Sequence, residues 1–178
     1  MDLLSNMSGH SKWAQIKHKK AVSDQKRGRV FSKLARAITV AACGNPDPKS
    51  NVRLRAAMEA ARKENMPNEN IDRAVQKVSD VDSARLEELS IEILGPGNTA
   101  LVVSAITDSR NRTMQEIKRL VALHAGRIME PGSLAWMFRA GASAPLSESE
   151  ASALSQLVVA LQEHDDVQGV QTNIAPTA

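Results

Sequence analysis

The sequence predicts an α+β protein: an N-terminal three-helix domain, then an α+β domain with helices packed on one face of a mostly antiparallel sheet. Two observations carry this. Apolar residues recur three and four apart up to about residue 80, then alternate through Leu89, Ile91 and Ile93. Charge changes at the same place. Residues 1–80 hold 16 Lys and Arg against 8 Asp and Glu, net +8; residues 81–178 hold 7 against 12, net −5. With 178 residues, 42% hydrophobic and 24% charged, the chain has material for a real core. The expected division is a basic tail at 1–22, a helical domain at 23–80 and an α+β domain at 81–178.

Residues 1–20 show no clear period and read as a tail that orders on a partner. A first helix is expected over 24–43, with Phe31, Leu34, Ile38 and Ala41 as its apolar stripe. Gly44-Asn45-Pro46 ends it. Asp47-Pro48 reads as the start of a second helix, an acidic cap followed by proline at the first helical position. Leu54, Ala57, Met58 and Ala61 form its inner face, and Met66-Pro67 breaks it. A third helix turns Ile71, Ala74, Val75 and Val78 inward.

Beyond residue 80, residues 87–94 read as a strand and Gly95-Pro96-Gly97-Asn98 as a turn. Residues 99–107 form a second strand, buried on both faces. Thr113 with Glu116 reads as a capping box opening a helix with Met114, Ile117, Leu120 and Val121 inward. Arg127–Met129 and Leu134–Phe138 are expected strands, and 139–146 a short loop. Ser147 with Glu150 is a second capping box. Its helix buries Ala151, Leu154, Leu157, Val158 and Leu161. Val167–Thr172 is a closing strand.

Several functions are excluded. No apolar run approaches the ~18 residues of a membrane span, and an acid stands where a secretion signal would be positive. The expected location is the cytoplasm. One cysteine, Cys43, rules out a disulfide framework, and the four histidines are too scattered for a ligand motif. The turn at Gly95 lacks the Lys-Ser/Thr of a phosphate-binding loop, and no nucleophile elbow is present. His164-Asp165-Asp166 reads as a charged helix end, because adjacent carboxylates point apart. No catalytic residues, cofactor, metal, membrane partner or small-molecule substrate are expected, and the protein is read as not an enzyme.

The positive signal is basic. Over 10–36, nine cations face one acid, Asp24. Lys26, Arg29, Lys33 and Arg36 fall within an arc of roughly 80° on the first helix, a cationic rail beside the apolar stripe. Such a surface suits a polyanion. The rail carries no Asn or Gln to read base edges, so it suits phosphate contact, which positions without specifying. Arg110 and Arg112 precede a helix N-terminus and are read either as a second phosphate contact or as local partners of Asp108.

The segment Met7-Ser8-Gly9-His10-Ser11-Lys12-Trp13-Ala14-Gln15-Ile16-Lys17-His18-Lys19-Lys20 closely resembles the opening of the YebC family. Lys26–Leu34, Asn51–Arg55, Asn65–Pro67, Gly95–Gly97, Thr107–Thr113, Glu130–Phe138 and Asp165–Asn173 follow in family order. The family includes bacterial proteins described as transcriptional regulators and a mitochondrial translational activator of cytochrome c oxidase subunit I. Residues 1–6 precede the usual family start. The family has a third domain inserted after the stretch matching Leu134–Phe138, and here Ala140–Ala144 takes its place.

The resemblance implies control of transcription through DNA, or support of translation through ribosomal RNA and the ribosome, including relief of stalls at proline-rich stretches. The residues lean to RNA, because the Gly9–Lys20 segment is suited to ordering in a crevice of folded RNA. The candidate nucleic-acid-binding residues are His10, Lys12, Trp13, Lys17, His18, Lys19, Lys20, Lys26, Arg27, Arg29, Lys33, Arg36, Arg110 and Arg112. DNA binding is the alternative; a protein-interaction module derived from the family is the second alternative.

Overall fold

The computed structural model describes residues 8–79, 86–140 and 145–174, and of 8–22 the backbone alone. Helices α1 (Ser8–Ala42), α2 (Val52–Lys63) and α3 (Asn68–Gln76) come first, and a 3-10 turn at Lys77–Ser79 extends α3. There follow β1 (Glu87–Leu94), β2 (Ala100–Thr107), α4 (Arg110–Leu123), β3 (Arg127–Met129), α5 (Ala135–Ala140), α6 (Glu148–Glu163) and β4 (Val167–Thr172). The sheet order is β3-β1-β2-β4, and each neighbouring pair is antiparallel.

α1 starts at Ser8, not near residue 24, so the stretch read as a tail is helical over 8–22. Nothing in 8–20 breaks a helix: the stretch holds no proline, and its lysines, alanine and glutamine are good helix formers. With Trp13 and Ile16 its only large apolar residues, it lacks the sustained periodicity that marks an amphipathic helix. α1 ends at Gly44, whose φ of 81° reverses the chain. Asn51 then serves two helices. Its side-chain oxygen accepts from Leu54 N–H at 3.0 Å and caps α2, while its amide donates to Ala41 O and Asn45 O at 2.7 Å each. The cap is therefore Asn51, and Asp47-Pro48 lies in the preceding turn. Asn65 (φ 58°) ends α2 before Pro67, and Met66 N–H closes on Ala61 O at 3.0 Å.

Ile38, Leu54, Met58, Ile71 and Ala74 form the core of the helical part, and Thr39 donates to Ala74 O across it at 2.9 Å. In the sheet part, Leu89, Ile91, Ile93, Leu101 and Val103 meet Ile117 and Val121 of α4 and Leu154, Leu157 and Leu161 of α6. Each fully buried Leu or Ile contributes about 1.5–3 kcal/mol. The capping box opens α6: Ser147 Oγ accepts from Glu150 N–H, and Ser147 N–H donates to the Glu150 carboxylate.

Two further elements differ from the expectation. Leu134–Phe138 opens α5 and is not a strand. A short apolar run carries no decisive period; Leu134 and Met137 turn inward while Trp136 is 61% exposed. The Glu92 carboxylate accepts from Gly132 N–H and Leu134 N–H at 2.6 and 2.7 Å and fixes the α5 entry. This helix covers Leu94 and Ala100 on the sheet face opposite α4 and α6. The second difference is α4, which is capped at Ser109 and not at Thr113. Thr113 is buried in its first turn. Residues 141–144, within the expected loop at 139–146, and the end at 175–178 lie outside the described residues.

Candidate nucleic-acid interface

α1 carries the cationic rail, but its members have separate fates. Lys26 is exposed. Arg27 is exposed and pairs with Asp24 at 2.8 Å. Arg29 is half-buried and lines a cleft between α1, α4 and the end of α6. Lys33 and Arg36 turn toward the sheet part. Lys33 Nζ donates to Gln162 O at 2.6 Å, and Arg36 Nη1 to Asp165 O at 3.1 Å and Asp166 Oδ1 at 2.6 Å.

The chemistry of that contact is simple. The last turn of α6 leaves carbonyls without intrahelical partners and carries the negative end of the helix dipole. Lys33 meets it, and Arg36 binds the turn just beyond it. Burial there lowers the Lys33 ammonium from its ordinary 10.5; Asp165 acts against the shift, while Arg29 and Arg36 add to it. The expectation that Lys33 stands free on an exposed rail is corrected: it is half-buried at the junction of the two parts.

Asp166 is the centre of the junction. It is 3% exposed. Oδ1 accepts from Arg36, and Oδ2 from Arg112 at 3.1 Å and from the Thr113 hydroxyl at 2.6 Å. The Thr113 hydroxyl also lies 2.8 Å from the Thr107 hydroxyl. Burial alone would raise the Asp166 carboxyl. The donors of Thr113, Arg112 and Arg36 outweigh it and hold the group below its ordinary 3.8. The same carboxylate, with Asp108, raises the Arg112 guanidinium.

Arg112 therefore lies 2.8 Å from Asp108 as well as bonding Asp166, and Arg110 lies 3.8 Å from Glu87. Arg112 thus has the local partner Asp108, whereas Arg110 faces Glu87 and not Asp108. His10, Lys12, Trp13, Lys17, His18, Lys19 and Lys20 lie on α1, and their side chains fall outside the described residues.

Glu116, His164 and Asp166 place one ligand-type atom each within 4.8 Å of one another. These atoms are already committed. His164 Nδ1 accepts from Asp166 N–H at 3.2 Å, so in the neutral ring Nε2 bears the proton and donates to Glu116 at 3.0 Å. Two guanidinium groups already occupy the Asp166 oxygens. The cluster fits a hydrogen-bonded brace better than a cation site.

The sequence reading missed Asp166. Its partners lie 130, 54 and 53 residues away, so no local spacing announces them.

Comparison with known proteins bears on the same residues. The family model described as the TACO1/YebC protein N-terminal domain matches residues 11–81, and that of the TACO1/YebC second and third domain matches 86–144. A "Probable transcriptional regulatory protein" of Chloroherpeton thalassium is 49% identical over 148 residues, 82% of this chain and 59% of its own length. One of the same name from Dictyoglomus turgidum is 43% identical over 154 residues, 85% of this chain and 62% of that one. The chain thus spans about three fifths of the length of these relatives. The crystal structure of a conserved hypothetical protein from Aquifex aeolicus superposes with a TM-score of 0.75 at 30% identity, over 92% of this chain and 96% of that one.

Proposed function

The chain belongs to the TACO1/YebC family, and from that premise we propose that it is a non-enzymatic regulator of gene expression that binds nucleic acid through the phosphate contacts of its basic helical part. The observation that carries this reading is the net charge of +8 on residues 1–80, within a chain of net charge +3. Cations so concentrated release counterions from a polyanion on binding. The contact positions the protein on its target, and base recognition comes from elsewhere.

The reading leans to RNA and to a role at the ribosome, in the cytoplasm. The described cations of α1 are accompanied by few groups able to discriminate base edges, which suits a folded RNA recognised by shape. Control of transcription through DNA is the second reading, favoured by the names of the bacterial relatives. A protein-interaction role is the third, favoured by an apolar groove of about 630 Å³ between α6 and the edge strand β4, lined by Leu154, Val158, Val170 and Ile174.

In-cell crosslinking of the tagged chain, followed by sequencing of the attached nucleic acid, tests the reading. Reads concentrated at a few ribosomal RNA positions support the translational form, and reads at discrete promoters support the transcriptional one. In solution, about five phosphate contacts give a log–log salt slope of about −4.5 on duplex DNA. A slope near zero overturns the electrostatic account.

A further inference from the structure

The rail that charge patterning singles out is partly committed. Lys33 and Arg36 serve the end of α6, and the cleft beside them includes Glu116, Glu163, Asp165 and Asp166 among its lining. Arg29, Arg36, Arg112 and Arg119 line the same cleft, so its cations are matched by as many carboxylates and it offers a phosphate no net positive charge. A different groove, of about 220 Å³, runs between α1 and α3 on another side of α1. Ser32, Asn70, Arg73 and Lys77 supply its polar lining, and no carboxylate lines it.

Resting on the reading above, we propose that this α1–α3 groove holds the phosphodiester backbone of the nucleic acid, with Arg73 and Lys77 neutralising phosphates and Ser32 and Asn70 donating to phosphate oxygens. Three observations carry it. Asn70, Arg73 and Lys77 are spaced three and four apart, so they share one face of α3 and the turn that extends it. Arg73 and Lys77 are about 6 Å apart along the axis, close to the separation of successive phosphates on one strand. Both are exposed, and among the described residues neither joins an ion pair, whereas Arg27, Arg36, Arg53, Arg110 and Arg112 all do.

The third observation is Gly28. It lies inside α1, where glycine costs about 1 kcal/mol relative to alanine. The fold gives no reason for it. Its φ is not in the left-handed region, and a Cβ built there meets nothing within 4 Å. A bare backbone at the groove wall serves a group that approaches from outside the chain. Arg73 and Lys77 also suit the C-terminal end of the α3 dipole, but that role would be read in stability and not in binding.

The test uses the full chain, with a labelled hairpin RNA and a duplex DNA of the same sequence as probes. Arg73→Glu with Lys77→Glu is expected to weaken binding more than about tenfold and to make the salt slope shallower by about two. Gly28→Leu adds no charge and favours the helix, and it is expected to weaken binding about fivefold without lowering Tm. Lys118→Glu with Arg127→Glu makes the same charge change on exposed cations of the sheet part and is expected to cost less than about twofold. A loss on RNA alone assigns the groove to an RNA backbone, and a loss on both probes to a backbone of either kind. Wild-type binding with undiminished affinity in both groove variants overturns the groove and leaves the nucleic-acid reading standing. A wild type that binds neither probe overturns that reading itself, and the groove with it.

Discussion

Arg36 Nη1 lies 2.6 Å from Asp166 Oδ1, a contact that joins two residues 130 positions apart and ties the helical part to the start of β4. Arg112 and Thr113 hold the other oxygen of the same carboxylate. One buried acid thus fixes how α1, α4 and the α6–β4 turn meet.

Asp166→Asn is therefore expected to destabilise the chain by about 2 kcal/mol. The figure is below that for a fully buried pair because the Arg36 and Arg112 side chains remain 34% and 45% exposed. Asp165→Asn, which touches only an exposed side chain, is expected to stay within about 0.5 kcal/mol. Urea unfolding of the two variants checks the pair; equal midpoints would contradict the role of Asp166.

The pH dependence follows from the lowered Asp166 carboxyl. A carboxylate whose folded value lies below its unfolded value contributes stability that is fully present above the unfolded value, and loses it as pH falls through the folded one. The difference in unfolding free energy between wild type and Asp166→Asn is expected to hold steady at neutral pH and to shrink only below 3.8. A difference that vanishes by pH 6 would contradict the lowered Asp166 carboxyl.

Ser147→Ala removes the cap of α6. Its hydroxyl accepts from Glu150 N–H at 3.3 Å and donates to the Glu150 carboxylate at 2.7 Å, the main cause of the lowered Glu150 carboxyl. The expected loss is about 1 kcal/mol, read as a fall in Tm. Ser147→Asp keeps an oxygen acceptor at the cap and is expected to recover most of it.

Gly97→Ala meets two obstacles. Gly97 has φ of 65°, and a Cβ there runs into the Leu146 side chain just before α6. The expected cost is about 1–3 kcal/mol, measurable by thermal unfolding. Gly132→Ala has the same backbone strain, with φ of 84°, but nothing within 4 Å of the added carbon. It isolates the steric share by difference.

Much of the fold is legible in the chain because the signals are local. The alternation of Leu89, Ile91 and Ile93 gives β1 its bounds, and Ser147 with Glu150 gives α6 its start. The resemblance carried by residues 7–34 and the later family blocks points to the family that the comparisons show. Where local signals are weak, the reading slipped. Leu134–Phe138 has no decisive period, and its helix is set by Glu92, 40 residues earlier. The Thr113–Glu116 spacing mimics a cap, while Thr113 instead serves a buried carboxylate.

The candidate site divides in the same way. The sequence alone determined where the cations lie along the chain, because charge and helical spacing are properties of neighbours. Only the tertiary structure decided which of them remain free. Lys33 and Arg36 are drawn to the end of α6, while Arg73 and Lys77 stand across from Gly28 in an open groove. A charge is spent or available according to what lies within a few ångströms of it, and for these residues those neighbours come from segments that only folding brings together.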